Sequence, residues 1–111
     1  MYIYRLQILS SKSCSEEQLN NIIGVSSNFP YADWGIEIIQ SGENFSEILV
    51  YFLSLLEGKY EKLESIGISR ENISIWVLYE YEGQCNMEYD PVSIKKMGEN
   101  GIALCISCWE K

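Results

Sequence analysis

The sequence predicts an α+β fold: a single domain in which a mainly antiparallel, five-stranded twisted sheet carries helices packed on one face. Three observations predict it. Hydrophobic residues make up 47% of the 111 residues, enough for one core in a chain too short for two. Segments with apolar residues at every second position are interleaved with segments at helical spacing. Turn and cap residues separate them at short intervals, giving the order β-α-β-α-β-β-α-β with no linker, repeat or low-complexity stretch.

Residues 2–9 read as a strand. Tyr2, Tyr4, Leu6 and Ile8 share one face, and Ile3, Arg5, Gln7 and Leu9 share the other, which Arg5 and Gln7 make partly wet. Residues 10–13 form a polar connector. A helix over 15–23 follows, opened by a capping box of Ser13 with Glu16 or of Ser15 with Gln18. Leu19, Ile22 and Ile23 give its apolar stripe, and Gly24 ends it as a left-handed C-cap. Residues 26–34 are a loop around Pro30, unusually aromatic with Phe29, Tyr31 and Trp34. A second strand covers 34–40 and a turn 41–44. Asn44, with Glu47 three residues on, caps the main helix. Phe45, Ile48, Leu49, Phe52, Leu53, Leu55 and Leu56 make its broad apolar face, opposite Glu43, Glu47, Ser54, Glu57 and Glu61. It is expected to pass Gly58 and reach Leu63 or Ile66, with Gly67 as the stop.

Residues 72–82 are the clearest strand, with Ile73, Ile75, Val77, Tyr79 and Tyr81 on one face. Gly83-Gln84 fits a type II′ hairpin turn, and residues 85–89 fit the antiparallel return strand. A two-residue turn sets Tyr79 opposite Glu88; a three-residue turn sets Glu80 opposite Glu88, an unfavourable pair unless a cation fills it. Asp90 then reads as an N-cap and Pro91 as the first residue of a helix running to about Met97. Residues 102–109 are an almost continuous apolar run, which fits a central strand buried on both faces.

The chemistry of the chain lies in residues 71–94, which hold Glu71, Glu80, Glu82, Glu88 and Asp90 and no Lys or Arg. Tyr79, Tyr81 and Tyr89 sit among those acids. The whole chain has 16 acidic and 8 basic residues, a net charge of -8, and no histidine. A negative field repels phosphate backbones and speeds encounter with basic proteins, although it also serves plain solubility. Without histidine the chain lacks the side chain most used for proton transfer near neutral pH. No nucleophile elbow, phosphate loop or metalloprotease motif is present. No catalytic residue, metal ligand or cofactor is therefore expected.

Two patterns suggest chemistry and are set aside. Cys105-Ile106-Ser107-Cys108 has CxxC spacing, but residues three apart in a strand point to opposite faces, and zinc needs further ligands. The four cysteines are read as small buried hydrophobes or incidental thiols, kept reduced in a cytosolic chain. Glu80 and Glu82 share a strand face with Cβ atoms about 7 Å apart, which is more simply a solvated edge than a glycosidase pair. The remaining signal is an aromatic, acidic surface. Tyr and Trp give rigid contact area, and carboxylates match Lys and Arg on a partner. The expected partner-binding residues are Glu80, Glu82, Glu88, Asp90, Tyr79, Tyr81 and Tyr89 of the hairpin, with Tyr31, Asp33 and Trp34 of the aromatic loop. The plainer reading of each tyrosine is a core residue whose hydroxyl reaches the edge.

The stretch NISIWVLYEYEGQCNMEYDPVSIKKMGENGIALCISCWE resembles a family of small bacterial α+β domains of unknown function. Trp34 before the second strand and the helix after Asn44 have counterparts there. Small acidic domains of this kind are also similar to the immunity proteins of contact-dependent growth inhibition and other polymorphic toxin systems. That resemblance implies a 1:1 heterodimer with a cognate basic toxin domain, such as a ribonuclease, whose active site or substrate groove the acidic surface covers. It carries over no functional residue. Direct nucleic-acid binding and membrane association are not expected. No basic segment followed by a long apolar one opens the chain, so a cytoplasmic location is expected. Two other expectations stand beside it: a small-ligand or enzyme site between the sheet and residues 29–34, lined by Trp34, Tyr31 and Glu37, and a structural subunit that pairs through an exposed sheet edge.

Overall fold

The N-terminal strand forms the middle of the sheet. In the computed structural model, which describes residues 1–10 and 14–111, β1 (Tyr2–Ile8) pairs antiparallel with β2 (Trp34–Gln40) on one side and with β3 (Ile73–Tyr81) on the other. β4 (Ala103–Glu110) pairs parallel with β3, so the four strands stand in the order β2-β1-β3-β4. The fold is α+β with one mixed sheet and four α-helices among the described residues.

Register explains which face is buried. Ile8 lies opposite Trp34 and Ile73; Leu6 opposite Ile36 and Ile75; Tyr4 opposite Ile38 and Val77; Tyr2 opposite Gln40 and Tyr79. These rows alternate with the residues of the opposite face, as the strand period requires. Trp34, Tyr4, Leu6, Ile8, Ile73 and Ile75 are fully buried. α1 (Glu16–Ile23) adds Leu19 and Ile23 to the same core, α2 (Phe45–Leu56) adds Phe52, Leu49 and Leu56, α3 (Tyr60–Ser65) adds Leu63, and α4 (Pro91–Asn100) adds Met97. Fully burying a side chain such as Phe52 is worth about 1.5–3 kcal/mol. The helices thus share one face of the sheet.

Among the described residues no helix packs on the opposite face. Ile3, Ile39, Trp76, Leu78 and Trp109 lie there, with Ile39 62% exposed. Arg5 crosses to Glu37 at 2.8 Å on this face and stacks over the Phe29 ring at 4.0 Å. The loop before β2 also closes that strand's outer edge. Asn28 Oδ1 accepts the Glu37 N–H at 2.7 Å, and Ser27 Oγ accepts the Gly35 N–H at 3.0 Å. β4 has no such cover: it ends the sheet, and Ile106 on its core side is 47% exposed.

Four sequence expectations need correction. Residues 85–89 form no strand, so the sheet has four strands and mixed direction. Their apolar-polar alternation is real, with Cys85, Met87 and Tyr89 partly buried and Asn86, Glu88 and Asp90 exposed. The inward residues pack on the end of the core, where Tyr89 meets Phe45 at 5.0 Å, and this packing produces a period of two without a ladder. The final apolar run is an edge strand, since an apolar run records burial by any neighbour. The long helix breaks at Gly58, whose φ of +78° only glycine adopts without strain, and α3 starts afresh beyond it. None of the four cysteines is fully buried.

Caps follow the sequence more closely. Ser15 Oγ accepts the Gln18 N–H at 3.1 Å and Gly24 closes α1 at φ +88°. Ser13 lies outside the described residues. Asp90 caps α4 and Pro91 is its first residue, but α4 continues to Asn100 before Gly101 stops it. At α2 the side chain of Asn44 makes no cap. Glu43 Oε1 accepts the Phe45 N–H at 2.6 Å instead, and the Asn44 N–H donates to Tyr4 Oη at 2.9 Å.

Candidate functional site

The side-chain alternation of β1 and β3 places a row of rings at one end of the sheet. Tyr2 stacks on Tyr79 with centroids 4.3 Å apart and lies almost parallel to the ring of Tyr4, 6.0 Å away. Segment 82–90 leaves β3 and returns across this end to the N-cap of α4. Between that segment, the tyrosines and the start of α2 lies a cavity of about 270 Å³, lined by Tyr2, Tyr4, Phe45, Met87 and Tyr89, with Glu43 and Glu88 at its rim. A shallower acidic hollow of about 240 Å³ adjoins it, bounded by Glu43, Ser46, Glu88 and Asp90.

The electrostatics favour a cation. Ring faces carry negative quadrupole density, and carboxylates add full charges beside them. Among the described residues the ion pairs are Arg5–Glu37 and Lys95–Glu99, and neither touches the cavity. Burial pushes the Tyr2 hydroxyl up to about 12, with its hydrogen bond to Tyr79 adding to the rise. Burial also pushes Tyr89 up to about 12, with the nearby Cys108, Tyr4 and Glu43 raising it further. Both rings are therefore neutral phenols at physiological pH. The N-termini of α2 and α4 open near these acids and partly explain them. Glu43 caps α2. Asp90 accepts from Ser93 N–H at 3.1 Å and Ser93 Oγ at 2.6 Å, and those hydrogen bonds hold its pKa below the usual carboxylate value. Glu88 has no such structural task and is exposed beside the rings.

The residues expected from sequence divide into separate groups. Glu88, Tyr89 and Asp90 border the cavity and its hollow. Tyr79 stands beside them under Tyr2, and Tyr81 extends the row at 6.2 Å from Tyr79. Glu82 is exposed past the end of β3. Glu80 points to the helix-free face, where it accepts from Trp109 Nε1 at 3.1 Å. The aromatic loop is elsewhere. Trp34 lies opposite Ile8, at the far end of β1 from Tyr2, roughly 20 Å away at strand rise. Trp34 is fully buried and donates to the Val25 carbonyl, so no partner can touch its ring. Asp33 Oδ2 accepts the Ser10 N–H at 2.8 Å and so holds its own loop. Tyr31 is 83% exposed with its ring edge-on to Phe29. Trp34, Tyr31 and Glu37 therefore line no common pocket, since Trp34 faces the core while Glu37 pairs with Arg5 on the opposite face.

Tyr2, Tyr4, Glu43, Phe45 and Met87 were absent from the sequence expectation. The shared face of Tyr2 and Tyr4 was visible in the alternation. Their meeting with residues 86–89 depends on strand order, which local pattern does not encode.

The cysteines are also redistributed. Cys105 lies opposite Trp76 and Cys108 opposite Tyr79, on the two different faces that strand geometry requires. No group of three or more Cys, Asp or Glu side chains among the described residues is arranged to hold a metal ion. No helix among them is long and apolar enough to cross a membrane. Compared with protein-family models, curated proteins and solved structures, the chain matches none.

Proposed function

We propose that the protein is an inhibitor of the immunity class, which binds a basic toxin domain, such as a nuclease, through the acidic, tyrosine-rich end of its sheet. The observation that carries this reading is the cavity of Tyr2, Tyr4, Phe45, Met87 and Tyr89 with Glu43 and Glu88 at its mouth and no Lys or Arg paired there among the described residues. A lysine or arginine from the partner fits such a seat: its aliphatic stem lies against the rings and its charged head meets the carboxylates. A toxin that grips nucleic acid presents such side chains, and the inhibitor's field of -8 steers the encounter. The partner's cation would act as an anchor, a type of contact that dominates many interfaces.

Three measurements test this. The ring resonances of Tyr2 and Tyr89 should shift in NMR spectra on titration with butylammonium or butylguanidinium, and much less with butanol. A partner captured from the native cell should be a basic domain with toxic activity that this chain suppresses on co-expression. Glu43→Gln, Glu88→Gln and Asp90→Asn together keep the caps but remove three charges, and should slow association about tenfold or more at low salt. A partner that docks away from the cavity, or binds the triple variant at an unchanged rate, would falsify the assignment.

A second reading is favoured by one contrast. The outer edge of β2 is closed by residues 27–28, whereas β4 ends the sheet uncovered. A bare edge can accept a strand from another chain. Sedimentation of the purified protein separates the readings: a stable homo-oligomer lost on Ile106→Pro, whose amide points away from β3, supports edge pairing, and a monomer rules out self-pairing through this edge.

A further inference from the structure

Segment 82–90 and β4 bring three sulfur atoms together beside the cavity. Cys85 Sγ lies 3.7 Å from Cys108 Sγ, and Met87 Sδ lies 3.6 Å from Cys108 Sγ. The Tyr89 hydroxyl points at Met87 Sδ from 4.0 Å and holds that thioether in place. Cys108 is exposed and Cys85 and Met87 are partly so, which leaves a path from solvent.

The spacing distinguishes two kinds of bond. Three donors around one ion in a trigonal plane, each about 2.3 Å from it, stand about 4.0 Å apart. The two separations from Cys108 would each lengthen by only a few tenths of an ångström to reach that. A disulfide needs about 2.05 Å and would require Cys85 and Cys108 to close by more than about 1.5 Å. The donor set narrows the ion. Thiolate and thioether sulfur are soft ligands that select Cu(I), whereas a structural zinc site takes four donors from thiolate, imidazole or carboxylate.

The geometry points to a three-coordinate Cu(I) site built by Cys85, Met87 and Cys108. Both thiols lose their protons to solvent as the ion binds, and the product carries one net negative charge. No electron moves, because the ion arrives already as Cu(I). Binding releases two protons. The ion would tie segment 82–90 to the edge strand. This inference stands independently of the toxin-binding reading.

The test uses the full reduced chain under anaerobic conditions, titrated with Cu(I) against a chromogenic Cu(I) chelator. One equivalent should be retained, and X-ray absorption should give three sulfur neighbours. Cys85→Ser and Cys108→Ser should each abolish retention. Met87→Leu should weaken it at least tenfold and leave two sulfur neighbours. Cys105→Ser, on the other face of β4, should change nothing. None of these four side chains belongs to the buried core, and circular dichroism checks that each variant folds. Retention no stronger than in the Cys85→Ser/Cys108→Ser double variant overturns the site. Full retention with Met87→Leu, or loss with Cys105→Ser, overturns it equally.

Discussion

Gly35 shows how one absent methyl group shapes a surface. A Cβ built there would lie 3.0 Å from Phe29 Cβ and 3.3 Å from the Leu6 carbonyl oxygen. The missing side chain lets Phe29 lie flat on β2 and under Arg5. Gly35→Ala should cost about 1–3 kcal/mol in urea unfolding and shift the Phe29 ring resonances, because the overpacked atoms include backbone that cannot give way. Tyr2 and Tyr89 make a pH prediction with a definite sign. An unfolded tyrosine loses its proton near 10, and these two hold theirs until about 12. The unfolded chain thus binds fewer protons above pH 10, so stability is level below about pH 9 and falls as pH rises from 10 towards 12. Tyr2→Phe with Tyr89→Phe should flatten that fall in denaturant titrations. Individual residues were partly legible in the sequence. Asp90, Pro91, Ser15 and Gly24 do what their types suggest, because caps are local. The burial of Trp34 was not legible, since an aromatic residue at a loop end looks the same whether it faces water or core.

Elements were legible where the period was long. Strands at 2–8, 34–40 and 73–81 and the helix at 16–23 lie within a residue or two of the pattern in the sequence, and the helix at 45–56 starts where the pattern does but stops short of the expected end. The α2 stripe is the clearest case, and its centre gives the third prediction. Phe52 is fully buried, so Phe52→Ala should destabilise by about 3–5 kcal/mol in chemical denaturation. Segment 85–89 and β4 misled for a shared reason. Alternation and apolarity report that a residue is covered, but not which element covers it. Met87 and Tyr89 are covered by the core's end without a paired strand, and Leu104 packs on the core from an edge strand. Native-state hydrogen exchange separates these cases. The amides of β1, bonded on both sides, should be the slowest in the molecule, and outward amides of β4 should exchange orders of magnitude faster.

Charge acts at the scale of the whole molecule. A net charge of -8 on a chain of this size produces a field that salt screens over about 8 Å at physiological strength. Association with a basic partner should therefore slow steeply between low and high salt, by stopped-flow measurement, while dissociation changes little. Acidity of the chain was evident in its composition. The meeting of Glu43 and Glu88 at one cavity was not, because they come together only once β1 stands between β2 and β3. That central position of the first strand has a further consequence for synthesis. Residue 8 leaves the ribosome long before residue 73, its partner in the ladder. At roughly 5–20 residues per second, β1 waits on the order of 3–13 seconds with an open flank. Tyr4, Leu6 and Ile8 are exposed to chaperones and to neighbouring nascent chains throughout that interval, so yield in the cell should respond to translation speed between codons 9 and 73.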